Sequence, residues 1–93
     1  MKNLNFNGFD CVIETLEYRN GGTAIELSEA KTGEPIAIAT VWVEGLKEDE
    51  VAIKDYSENS GMLLALVANG IVTAPHREVN SGFVTIPICK LKK

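Results

Sequence analysis

Few residues in this chain could do covalent or acid–base chemistry. A single histidine, His76, stands between Pro75 and Arg77. Nucleophilic catalysis through a histidine needs an activated hydroxyl or thiol and an orienting acid around it. Ser81 is the nearest serine in sequence, and nothing beside it marks activation. Cys11 and Cys89 lie far apart, and with His76 they match no zinc spacing. Asp55, Ser57 and Asn59 alternate as at the start of a calcium loop. That loop wants Gly at its sixth position and a bidentate Glu at its twelfth; here those positions are Ser60 and Leu66. Asn20-Gly21-Gly22 lacks the lysine and the following helix of a phosphate-binding loop. Asp49 and Glu50 are adjacent, so in extended chain they point different ways, a poor geometry for paired acid–base work. The sequence therefore predicts no catalytic residue, no metal site and no cofactor.

Two polar strings remain as binding candidates. The first is Lys54-Asp55-Tyr56-Ser57-Glu58-Asn59, at a strand-to-helix junction. The second runs from Arg77 to Ser81-Gly82-Phe83. They form one surface if the last strand lies near residues 51–54. Helix capping and a salt bridge explain the first string without any ligand, and that is the simpler reading. The candidate binding residues are Asp55, Tyr56, Ser57, Glu58, Asn59, Leu64, Arg77, Ser81 and Phe83.

The chain has 93 residues, the length of one domain. One domain over 1–93 is expected, with short flexible ends at 1–3 and 92–93. Hydrophobic residues make up 45% and charged residues 24%, which argues for a folded globular chain and against disorder. The net charge is −4, and residues 44–58 carry all of it: six acids (Glu44, Glu48, Asp49, Glu50, Asp55, Glu58) less Lys47 and Lys54. Nucleic-acid binding needs a basic stripe, and none is visible. The few aromatic residues make no stacking platform among basic ones. An acidic face suits a basic protein surface, or simply solvent. The start of the chain has no apolar signal core, so the cysteines are expected to be free core thiols in a cytoplasmic protein. The longest apolar run, Met62 to Ala74, is broken by Asn69-Gly70 and is too short to span a membrane.

These residues need elements to position them. Asn-Gly and related turn signals at residues 7–8, 20–22, 32–33, 44–45, 69–70 and 81–82 cut the chain into short, mostly β-like segments. Residues 9–18 place Phe9, Cys11 and Ile13 on one face, with a bend or bulge near Thr15. Residues 23–28 alternate, with Ile25 and Leu27 inward. The two form a hairpin through Asn20-Gly21-Gly22. Residues 35–43 are apolar on both faces, which predicts a central strand with the helix over its alanine side. Residues 51–54 form a short strand. A helix over about 58–69 is capped by Asp55, Ser57 or Asn59 and stopped at Gly70. Its apolar arc, from Met62 and Leu66 round to Leu64, spans roughly 200°, wider than a surface helix needs. Either it is buried on two sides or Leu64 meets a partner. Residues 71–74 are a brief strand, and residues 82–91 the last one, at an edge or bulged because Pro87 lacks an N–H. The expected architecture is α+β: a twisted, mostly antiparallel sheet of about five strands with one short helix packed on one face.

Read together, residues 20–27, 33–43, 49–72 and 81–91 resemble a family of small bacterial proteins of unknown function, often carried on phages and other mobile elements. The resemblance runs from about Leu4 to Leu91. It is most specific at Glu50, Gly70, Ile71, Arg77, Ser81, Gly82, Phe83 and Pro87. Many members have Thr-Gly-Arg where this chain has Pro75-His76-Arg77, so the resemblance gives His76 no catalytic role. It implies context rather than mechanism: cargo of this size often binds a host protein.

The leading expectation is a non-catalytic protein-interaction module, a mobile-element regulator or inhibitor of a host protein, with a protein partner or self-association. The alternative is a small-ligand protein that binds or sequesters a nucleotide or metabolite, with Arg77 gripping a carboxylate or phosphate. A small enzyme is the weakest reading.

Overall fold

A computed structural model describes residues 3–19 and 21–92. Among the described residues, eight strands form two antiparallel sheets of four. The first sheet has the order β1 (Asn3–Phe6), β2 (Phe9–Glu17), β3 (Thr23–Glu29), β4 (Pro35–Ile38). The second has the order β5 (Thr40–Val41), β6 (Glu50–Ile53), β8 (Val84–Lys90), β7 (Arg77–Ser81). A 3-10 turn covers Ser57–Asn59 and one helix, α1, covers Met62–Ala68. The α+β class and the antiparallel, one-helix composition are as the sequence predicts. The strands are divided between two sheets rather than gathered into one of about five.

The division falls inside the segment expected to be a single central strand. Ala39 interrupts residues 35–43. Its N–H donates to Ile25 O on β3, and its C=O accepts from Lys54 N, just past β6. The chain thus leaves the first sheet as an edge strand and enters the second as another. Apolar residues on both faces here mark a sheet-to-sheet crossing, which brings alternate sides of the chain against two different layers. Thr40, buried beside the crossing, pins it: its hydroxyl accepts from Ile25 N and pairs with Tyr18 Oη.

One core fills the space between the sheets. Leu4, Phe6, Cys11, Ile13, Ile25 and Leu27 come from the first sheet, Val51, Ile53 and Cys89 from the second, and Met62 and Leu66 from α1. Of these, Cys11, Ile13, Ile25 and Leu27 follow from the alternation of residues 9–18 and 23–28; Phe9, expected on the face of Cys11 and Ile13, ends up exposed where β2 begins. No bulge forms at Thr15, since β2 and β3 pair without a break from Cys11–Glu29 to Glu17–Thr23. The register shift sits instead between Leu27 and Ser28, facing β4. A smaller second core covers the other face of the second sheet. Ala52, Ile86 and Ile88 form it, with Val41, Val43, Leu46, Tyr56, Val79 and Val84 packed against them. This is why β6 is buried along its whole length.

The predicted helix of 58–69 is two pieces. Gly61, at φ 95°, separates the 3-10 turn from α1. Gly70 ends α1 as expected: at φ 70° it lets its own N–H reach Val67 O and that of Ile71 reach Leu66 O, the paired bonds of a Schellman stop. α1 packs against β1, not simply over the alanines of the third segment. Residues 71–74 form no strand. Val72 makes one bridge to Leu91. Pro87 lies in an interior strand rather than at an edge. Alternate residues of β8 turn their backbone groups to opposite sides, and Ile88 O accepts from His76 N on the β7 side. Pro87 therefore faces β6, where pairing ends at Ala52–Ile88, so its missing N–H breaks no bond. At the ends, Asn3 is paired in β1 and Lys92 N donates to Ile71 O; Met1, Lys2 and Lys93, and Asn20 of the expected hairpin turn, lie outside the described residues.

Candidate functional site

The sequence-predicted residues do not gather into one site. Asp55 and Asn59 serve the fold. Asp55 Oδ1 accepts from Leu63 N at 2.9 Å, capping α1 across the turn. Asn59 is buried and its amide donates to Ile38 O at 2.7 Å. It ties the helix junction to the chain just before the Ala39 crossing. Ser57 sits at φ 55°, a conformation that costs a non-glycine residue. Its side chain is not needed as the cap. Glu58 pairs with Lys54 Nζ at 2.7 Å on the surface, which lowers the Glu58 carboxyl and raises the Lys54 amine.

β8 lies beside β6, which meets the condition set on the last strand, but β7, which carries Arg77 to Ser81, is one strand further out. Tyr56 packs on the second core, as do Val79 and Val84, and it carries Lys54 Nζ 5.7 Å from its ring centre. β7 and β8 are joined by the two-residue turn Gly82-Phe83, with Ser81 opposite Val84. Gly82 takes φ 60° there, as a tight hairpin requires. Phe83 stands at the tip, fully exposed at 110%. Leu64 is 75% exposed on α1 while Met62 and Leu66 are wholly buried. The wide apolar arc is therefore covered on its inner side only.

Arg77 does not present its fork to a ligand. Its Nε donates to Glu50 Oε2 at 3.1 Å and its Nη2 to Glu50 Oε1 at 2.7 Å. Lys47 N donates to Glu50 Oε1 at 3.0 Å, and His76 Nε2 meets Oε2. Glu50 is 2% exposed, against 34% for the His76 side chain and 39% for that of Arg77. The Arg77 guanidinium, the Lys47 N–H and His76 together hold the Glu50 carboxyl far below the usual carboxylate range. Arg77 is raised in return.

The local backbone explains how neighbours 76 and 77 reach one carboxylate. Successive residues of a regular strand point to opposite faces. Here His76 N donates to Ile88 O, yet Ile88 is also the ladder partner of Arg77. Two residues facing one is a bulge, which re-aims side chains. It turns both His76 and Arg77 towards the face of Glu50. The sequence reading missed Glu50 as their partner. The available signal was an acid heading the otherwise apolar strand Glu50–Ile53, but its partners lie 26 and 27 residues away.

A separate groove of about 570 Å³ opens between the sheets, lined by Glu17, Gly22, Thr23, Glu48, Asp49 and Leu91. None of the nine sequence-predicted residues lines it. Among the described residues, no group of three or more His, Cys, Asp or Glu side chains could hold a metal ion. No helix of the described chain is long and apolar enough to cross a membrane. Both cysteines are free and buried, and burial pushes the Cys89 thiol up to about 11. The chain matches no protein-family model, no curated protein and no solved structure.

Proposed function

We propose that this chain is a small non-catalytic protein-interaction module, a regulator or inhibitor that engages a host protein with the β7–β8 hairpin. Phe83 carries the reading. A large aromatic ring on a two-residue turn contributes nothing to either core, and exposed aromatic residues are what protein interfaces anchor on. Val79 and Val84 of the same hairpin are partly buried on the second core, and Ser81 beside the turn is polar. The ionic cluster at Glu50 fits this reading as scaffold. It fastens the loop at Lys47 and the start of β7 to β6, and so fixes the hairpin's base.

The test is affinity capture from cell lysate with native, Phe83→Ser and Leu64→Glu baits, each checked by circular dichroism. A protein enriched by the native and Leu64→Glu baits and lost with Phe83→Ser supports the hairpin. Loss with Leu64→Glu alone moves the surface to α1. No enrichment with any bait refutes the reading.

One observation favours a second reading, small-ligand binding, in altered form. The inter-sheet groove carries Glu17, Glu48 and Asp49, a field suited to a cationic ligand rather than a nucleotide. A thermal-shift series with polyamines and basic amino acids tests it. A ligand at 100 times its dissociation constant adds about 2.7 kcal/mol.

A further inference from the structure

The two sheets have four edges, and three are occupied or blunted. β1 has α1 packed against it. β4 begins with Pro35 and faces the register shift. β5 is only two residues long. β7 is different. It is five residues long, exposed apart from Val79, without proline, and straight beyond the bulge at 76–77. Such an edge is a template for another strand.

We infer that β7 is a self-association edge, which pairs antiparallel with β7 of a second copy about a two-fold axis at Val79. The backbone sets this register. Ser81 and Val84 flank a two-residue turn, so Ser81, Val79 and Arg77 bond inward to β8. Glu78 and Asn80 then turn their N–H and C=O groups outward. In a two-fold pairing centred on Val79, Glu78 of each copy faces Asn80 of the other. All four outward groups of each chain find a partner, giving four bonds across the axis. The two Val79 side chains meet on one face, and carboxylate meets amide on the other.

Competing arrangements are poorer. Centring the axis on Glu78 sets two carboxylates directly opposite, which is destabilising. Parallel pairing has no two-fold register: Glu78 and Asn80 turn outward in both copies, whereas the slanted bonds of a parallel ladder need the outward residues of the two strands offset by one. The closed pair would join two four-stranded sheets into one continuous sheet of eight. The contact is small, so the dimer is weak and concentration-dependent. It leaves Phe83 at the hairpin tip free, so it is independent of the host-protein surface proposed above.

Sedimentation equilibrium from about 10 µM to about 1 mM tests the inference in the range of a weak dimer. The native chain is expected to pass from monomer to dimer. Asn80→Pro removes an N–H that the fold does not use and should stay monomeric, with unchanged circular dichroism and unchanged capture of a Phe83-dependent partner. Two further variants at this exposed position read the register without touching the backbone. Asn80→Lys, facing Glu78 of the second copy, should tighten the dimer, and Asn80→Glu should loosen it, each by about 2- to 30-fold over two symmetric pairs. A native chain that stays monomeric throughout overturns the inference. So does a dimer that is indifferent to Asn80→Lys and Asn80→Glu.

Discussion

Replacing Glu50 by glutamine, and measuring stability against pH, probes a buried side chain held by four contacts. The carboxylate accepts from Arg77 twice and from Lys47 N, and meets His76. Removing one partner of a buried ion pair typically costs about 3–5 kcal/mol. His76 and Arg77 are one-third or more exposed and can recover water, and glutamine keeps one acceptor. A loss of about 2–3 kcal/mol at pH 7 is therefore expected. For a domain this size that lowers the thermal midpoint by roughly 8–24 °C.

The pH dependence follows from the direction of the shift. The unfolded Glu50 titrates near 4.5, and the folded carboxyl far lower. Its contribution is complete above the unfolded value and is lost as pH falls through the range between the two. Down to about pH 3 only the unfolded form takes up a proton, so about 2 kcal/mol is lost between pH 7 and pH 3. Other acids shift both proteins alike. The difference between native and Glu50→Gln chains in urea unfolding should thus narrow by about 2 kcal/mol over that interval. A gap of the same size at both pH values would refute the reasoning, because the native Glu50 would then not be held ionised by its partners.

Three further outcomes test the scaffold. Asn59→Ala strands the Ile38 carbonyl at the junction of the sheets and should lower stability by about 1–3 kcal/mol in urea unfolding. Ser57→Gly relieves a left-handed residue whose side chain caps nothing; it should leave stability unchanged or raise it by up to about 1 kcal/mol, read from the same curves. Cys11 and Cys89 should react with a thiol reagent at pH 8 only when the chain is unfolded, since burial raises both thiols and shields them; rapid labelling of the folded protein would contradict that placement.

Local signals in the sequence determined the class of fold, the inward residues Cys11, Ile13, Ile25 and Leu27, a short strand expected at 51–54 and found at Glu50–Ile53, and the stop at Gly70. Each depends on period-two alternation or on one residue's backbone preference, which act over a few positions and need no knowledge of the rest of the chain. They also offered Asp55 as one of three possible caps, with Ser57 and Asn59, and of these Asp55 bonds the first turn of α1. The tertiary structure alone decided the rest. Residues 35–43 look like one buried strand whether they lie central in a sheet or cross between two, because hydrophobicity reports burial and not what does the burying. Leu64 and Phe83 stand among the candidate binding residues, but hydrophobicity alone did not show that both lie exposed. Arg77 reads as a free cation until the fold sets Glu50 beneath it, since the meeting of a bulge at 76–77 with the first residue of β6 depends on strand order. That order is fixed by how two sheets share one core, and no spacing along the chain encodes it.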